Sequence, residues 1–302
     1  MKIGLFLISG DIESTGTVLT YRELRKYALT AEECGLDSIW LPDHLLLQLP
    51  GRARAGIWEV WTVLSGLAES TTRIELGTLV VCTAFRNPAV LAKMAVTLDA
   101  GSNRRLILGL GAGWHKPGFD TFGSPFDHRA GQFEEALEII VPLVREGKVD
   151  FTETYVSAPE CELLPGPARA IPILIAATKP RMLRLTAKYA DSWNTNWLGD
   201  VSALAPARAA LDAASVETGR DPSTLEVTVG INVAFPDLAE HLASALDPSE
   251  FLKGSVEEIA AGLRGYAEAG VGHVMAWLHP FSDESVRRFA AAASLARSQL
   301  GA

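Results

Sequence analysis

Three short stretches carry most of the side chains that could do chemistry: Pro42-Asp43-His44, the run RLILGLGAGWH from Arg105 to His115, and Ala176-Ala177-Thr178-Lys179 ahead of Pro180. An imidazole beside a carboxylate suits proton transfer near neutral pH. Glycines at 109, 111 and 113 let a backbone or a ligand come close, although packing at a strand end accounts for them equally well from this run alone. Lysine and free backbone amides at the start of a helix suit a phosphate group. Taken together these types describe a cofactor cradle with a titratable neighbour.

Other chemistries fit less well. A metal centre needs several His and carboxylate ligands in one place, and the chain has no HxH pair. A serine nucleophile lacks its GxSxG elbow, and Cys82 lies in an apolar run, where a thiol is usually structural. Cys34, Cys82 and Cys161 form no CxxC pair, which points to neither disulfides nor zinc and fits a reducing cytoplasm. A net charge of -9 over 302 residues argues against nucleic acid or an anionic membrane as partner. No apolar stretch reads as a membrane span.

The elements that must position these residues follow from the pattern around them. Leu106, Ile107 and Leu108 do not alternate with polar residues, so both faces of this strand should be covered, as in a parallel strand flanked by helices. Similar runs stand at 3–8, 36–41, 74–81, 173–177, 192–194, 225–234 and 273–278. Helix starts separate them: capping boxes at Thr20/Glu23 and Ser255/Glu258, Asn87 before Pro88, and Pro180 as a first helical residue. A hairpin of Val149–Thr152 with Tyr155–Ala158 and a segment from Pro236 to Gly254 read as insertions, and His115 to Asp127 as a long loop.

Eight strand-helix units in strict alternation predict an α/β protein, a single (β/α)8 TIM barrel with short insertions over residues 1–302. At 48% hydrophobic residues the chain has ample core material. In such a barrel the strand ends share one face. Ser9, Asp11, Asp43, His44, Val81, Cys82, Gly113 to His115, Thr178, Lys179, Asn194, Trp197, Phe235 and His279 should therefore converge there.

The residues also carry a resemblance. PDH after strand two, GTLVV with FRNPAVLAKM, LGLGAGWH with the following FG and FEEAL, and PILIA with RLTAKYADSWN resemble the bacterial luciferase-like flavin and deazaflavin oxidoreductases. The likeness runs in order over most of residues 1 to 200, while the last third fits by barrel pattern only. It implies an oxidoreductase that moves a hydride between coenzyme F420 and a small organic substrate, because LAKMAVTLD and RLILGLGAGWH look most like the deazaflavin branch. An FMN-dependent monooxygenase is the alternative, and a non-catalytic flavin-binding barrel is an alternative of another class.

By the same resemblance the ring lies over a bulge at Leu79 and Val80, joined by a non-prolyl cis peptide. His44 is the candidate catalytic acid/base, or a residue that only positions the ring, and Asp43 contacts a cofactor hydroxyl or ring nitrogen. Gly111, Ala112, Gly113 and Trp114 pass the ribityl and phosphate portion, with Trp114 stacking or walling the pocket and His115 a weaker candidate. Ala176, Ala177, Thr178, Lys179 and Trp193 complete the set of cofactor contacts. Two positions depart from the family pattern: Trp114 stands where some deazaflavin sugar-phosphate dehydrogenases carry a catalytic Glu, and ATKP replaces the commoner GGGP. Lys179 could compensate by pairing with phosphate, or be a solvated helix-start lysine. A small-molecule substrate is the expected partner, and a homodimer is compatible with this reading.

Overall fold

Every long apolar run becomes a parallel strand in the computed structural model, which describes residues 1–10, 18–48, 51, 53–238 and 250–301. Asp11 and parts of the two segments at 45–56 and 236–254 lie outside these residues. The barrel strands are β1 (Lys2–Phe6), β2 (Ser38–Leu41), β3 (Glu75–Thr78), β5 (Leu106–Gly111), β8 (Ile173–Ala176), β9 (Ser192–Leu198), β10 (Glu226–Ala234) and β12 (His273–His279). They pair in this order, all parallel, and β12 closes on β1, with Gly4 opposite Met275. Short strands β4 (Val81–Cys82) and β11 (Leu252–Lys253) extend the mouth beside β5 and β10.

The helices form the outer layer: α1 (Tyr21–Glu33), α2 (Val60–Ser70), α3 (Pro88–Gly101), α4 (Lys116–Phe122), α5 (Arg129–Arg145), α6 (Pro180–Tyr189), α7 (Leu204–Glu217), α8 (Val256–Glu268) and α9 (Asp283–Leu300). Both capping boxes form, with the Thr20 and Ser255 side chains accepting from the N–H groups of Glu23 and Glu258. Each such cap contributes about 1 kcal/mol. No helix among the described residues is long and apolar enough to cross a membrane.

Strand alternation sorts the apolar residues into two cores. Leu5, Ile39, Leu76, Leu108 and Val274 face the helices, whereas Phe6, Trp40, Leu79, Leu174 and Met275 fill the barrel. Below them a polar relay is fully buried: Trp40 Nε1 donates to Ser38 Oγ (2.7 Å), which in turn lies 2.7 Å from His273 Nε2. At the foot of β5 the Arg105 guanidinium donates to Ser102, Ile74, Ala68 and Thr71, anchoring that strand to α2 and the preceding turn. All five guanidinium donors are used, which is what burial of this charge requires.

Three local readings are corrected. The long loop after His115 contains the short helix α4, which Gly123 ends in the left-handed region at φ 74. The hairpin is β6 (Lys148–Thr152) against β7 (Ser157–Glu162), so Tyr155 and Val156 belong to the turn; their N–H groups are taken by the Glu135 carboxylate at 2.7 and 3.0 Å. The third apolar run is broken after Thr78 into β3 and β4; the Leu79–Val80 peptide between them is cis, as the resemblance implies.

Candidate active site at the strand ends

A cavity of about 340 Å³ opens at the carboxyl ends of β2, β3, β5, β8 and β9. Its lining contains Asp43, His44, Leu79, Val80, Gly111, Ala112, Gly113, Trp114, Ala176, Ala177, Thr178 and Lys179, so twelve of the thirteen candidate site residues meet there. The exception is Trp193. It is fully buried in the layer between barrel and helices, and its indole N–H donates to the Ala177 carbonyl at 2.8 Å. Alternation explains the correction: Asn194 points inward on β9, so its neighbour must point out. Trp193 supports the cavity wall from behind.

The glycines of β5 make room for protein. A Cβ on Gly109 would run into the Thr78 carbonyl oxygen, and one on Gly111 would sit 2.6 Å from Val80 Cγ2. Their absence lets the Leu79–Val80 bulge project into the cavity. Gly113 has φ 77, and a Cβ there would lie 2.6 Å from Cys82 Sγ. Backbone of β5 and β8, the next two strands round the barrel from the bulge, therefore forms one low wall beside it. Beyond this wall, α6 begins at Pro180 with no side-chain cap on its first amides and with Lys179 at the cavity edge. A low wall and an uncapped amide cluster with a lysine suit a flat ring system carrying a phosphate.

Asp43 lines the cavity, and its carboxylate is also engaged by protein. Its buried carboxylate accepts from both Arg86 Nη atoms (2.6 and 3.0 Å) and from the Cys82 N–H (3.0 Å). Arg86 also holds Glu59, the residue that caps α2. Burial raises the Asp43 carboxyl above its ordinary range, against the pull of Arg86 and the Cys82 N–H. Burial likewise acts to lower the Arg86 guanidinium, but Asp43 and Glu59 outweigh it and hold it above its usual value. The network ties β2 to the bulge and α2. Arg86 went unassigned in the sequence, although it stands in the FRNP motif.

Among the described residues His44 has no such counter-ion, since its acidic neighbour is already paired. Burial, and then the neighbouring His115, pushes its imidazole down to about 4, so the ring is neutral at pH 7. It meets Trp114 and His115 edge to face, at 5.5 and 5.6 Å between centroids. Trp114 is 63% exposed and forms a rim, while His115 is buried with Nε2 against the Gln48 backbone. Phe85, Phe119, Met182 and Asn196 also line the cavity and had no sequence signal that singled them out. The Cys82 thiol is pushed up to about 12 by burial, which leaves it unreactive.

A larger hollow of about 650 Å³ lies on the outside of the barrel between α5 and the hairpin, lined by Phe126, His128, Glu134, Glu135, Tyr155 and Arg181. Size does not make it the site, because no barrel-strand end reaches it. Among the described residues no group of three His, Cys, Asp or Glu could hold a metal ion.

A closed parallel barrel with a backbone-walled cavity and a neutral histidine at its strand ends defines a cofactor-using barrel enzyme. Residues 1–296 match the luciferase-like monooxygenase family, and the chain belongs to it. Over 175 residues it is 35% identical to an F420-dependent glucose-6-phosphate dehydrogenase of Amycolatopsis mediterranei, a match that covers 56% of this chain and spans half of the relative's length. Over its full length it is 28% identical to the pyrimidine monooxygenase RutA of Rhizobium rhizogenes, covering 83% of that protein. An F420-dependent secondary alcohol dehydrogenase, solved with an F420-acetone adduct, superposes with a TM-score of 0.81 at 20% identity, covering 98% of this chain and 99% of that one. This last likeness speaks to the fold. Each of the three bears an enzyme's name, which favours catalysis over a non-catalytic binding barrel.

Proposed function

We propose that this chain is an oxidoreductase that moves a hydride between coenzyme F420 and a small organic substrate, with His44 handling the accompanying proton. The observation that carries the reading is a neutral imidazole, held to about 4, in a strand-end cavity with a wall of bare backbone. When bound, the deazaflavin supplies the hydride donor or acceptor. The chain then needs to bind it, exclude water and move one proton.

Gly111 to Gly113 and Ala176 to Thr178 would hold the cofactor by backbone, with Val80 beneath the ring and Lys179 and the first amides of α6 at the phosphate. His44 at pH 7 is a proton acceptor. In the direction of alcohol oxidation it takes the hydroxyl proton as the hydride leaves carbon, and in ketone reduction it returns that proton to oxygen. Because Asp43 is committed to Arg86, the imidazolium formed gains little from it and gives its proton up readily. The Amycolatopsis relative favours F420, while the full-length match to a monooxygenase supports FMN as the second reading.

Titrating the purified protein with each cofactor separates the two readings; tight FMN binding with no affinity for F420 overturns the first. A His44→Ala variant should bind F420 as the wild type does and lose about 10²- to 10⁴-fold in turnover. Undiminished turnover removes His44 from the chemistry.

A further inference from the structure

The half of the barrel mouth facing away from the backbone wall is built from aromatic side chains. On β12 every second residue points inward, so His273, Met275, Trp277 and His279 form a ladder from the barrel floor to its rim. Near the top, Phe6 meets Trp197 at 4.9 Å and Trp277 at 5.9 Å, Trp197 meets Trp277 at 5.5 Å, and His279 lies between Trp277 at 4.8 Å and Phe251 at 5.1 Å. This wall borders the cavity already described. Val80 belongs to both, and Asn196 of the cavity lining precedes Trp197.

Two polar atoms of this wall, Trp277 Nε1 and His279 Nε2, are shut off from solvent and have no hydrogen-bond partner among the described residues. Leaving a buried donor unsatisfied costs about 1 to 3 kcal/mol, a cost that a bound acceptor removes. Charge is scarce here. The aromatic set contains no Lys, Arg, Asp or Glu, and burial pushes the His279 imidazole down to about 4. In the adjoining cavity the charged side chains are Asp43, neutralised by Arg86, and Lys179 at the α6 end.

We propose that this wall recognises the substrate, and that it takes an uncharged, flat, largely apolar molecule carrying an oxygen that accepts from the Trp277 N–H and the His279 imidazole. The proposal deepens the hydride-transfer reading and rests on it for taking the occupant of this wall to be the substrate. Indoles packed edge to face, as Trp197 and Trp277 are, offer apolar rings both faces and edges, and an indole N–H is a donor only, so it selects for an acceptor oxygen. A sugar phosphate is disfavoured: a dianion set against this wall would find no cation among its described residues to replace its lost hydration.

Dissociation constants for acetophenone and for glucose 6-phosphate, read by saturation-transfer NMR on the protein with and without F420, test the assignment. The wild type should bind acetophenone the more tightly. Trp277→Phe and His279→Phe keep an aromatic ring but remove the nitrogen, and each should weaken acetophenone about tenfold, the worth of one neutral hydrogen bond. Should Trp277→Phe fail to fold, His279→Phe at the rim carries the test. Tighter binding of glucose 6-phosphate, or wild-type acetophenone affinity in the folded variants, overturns the proposal. A separate F420 titration keeps the two ideas apart. Acetophenone binding that the variants lose, without F420 affinity, leaves the pocket standing and removes the F420 reading, whereas F420 affinity without acetophenone binding does the reverse.

Discussion

The two walls of the barrel mouth are made of different material. From β3 through β5 to β8 the surface is backbone, shaped by glycine and alanine; from β9 through β12 to β1 it is indole, imidazole and phenyl. A backbone wall constrains sequence tightly, because its close approaches leave no space for a Cβ: Gly109 faces a carbonyl oxygen and Gly111 faces Val80. A side-chain wall constrains only size and parity. One wall is thus suited to holding an invariant partner, and the other can be re-lined for a new substrate while the barrel stays intact.

The comparison breaks most readily at Arg86. Arg86→Ala leaves the Asp43 carboxylate buried beside the bulge without its partner, and should cost about 3 to 5 kcal/mol in urea denaturation. A loss below about 1 kcal/mol would show that the backbone wall does not depend on this pair. Gly109→Ala comes next. Pressing a methyl group toward the Thr78 carbonyl should destabilise by about 1 to 3 kcal/mol and weaken cofactor binding, and unchanged values for both would mean the bulge can retreat.

Acid acts on both walls. The imidazoles of His44, His273 and His279 are all held low by burial, at about 4, 3 and 4, against an ordinary 6.5. The unfolded chain therefore binds protons that the folded one refuses. Stability should be full above pH 6.5 and fall as pH drops toward 4, by up to about 1.4 kcal/mol per pH unit for each histidine. Denaturation midpoints at pH 7, 6 and 5 that coincide would contradict this. The smallest effect is expected at Trp193→Phe, which removes one hydrogen bond to Ala177, about 1 kcal/mol, and should leave cofactor affinity unchanged. A loss of affinity without a loss of stability would restore Trp193 as a contact.

Much of this was legible in the chain. Apolar runs fully covered on both faces, capping boxes at Thr20 and Ser255, and Asn87-Pro88 defined eight strand-helix units, because period and cap chemistry are local properties. The cradle was legible too, since its residues are consecutive: Gly111 to Trp114 and Ala176 to Lys179 arrive as blocks on strand ends that the barrel must bring together. Trp193 was misplaced because facing depends on strand parity, and β9 is short in the sequence pattern but runs to Leu198 in the fold.

What the sequence alone determined was the barrel and the order of its strand ends, both consequences of hydrophobic period and turn chemistry. Only the tertiary structure decided how the polar groups are spent. Asp43 meets Arg86 across 43 residues of chain, the β5 glycines serve the bulge of a neighbouring strand, and Trp277 Nε1 and His279 Nε2 are left without partners among the described residues. Such pairings are non-local. They depend on which side chains closure of the barrel sets face to face, and no pattern along one strand records that.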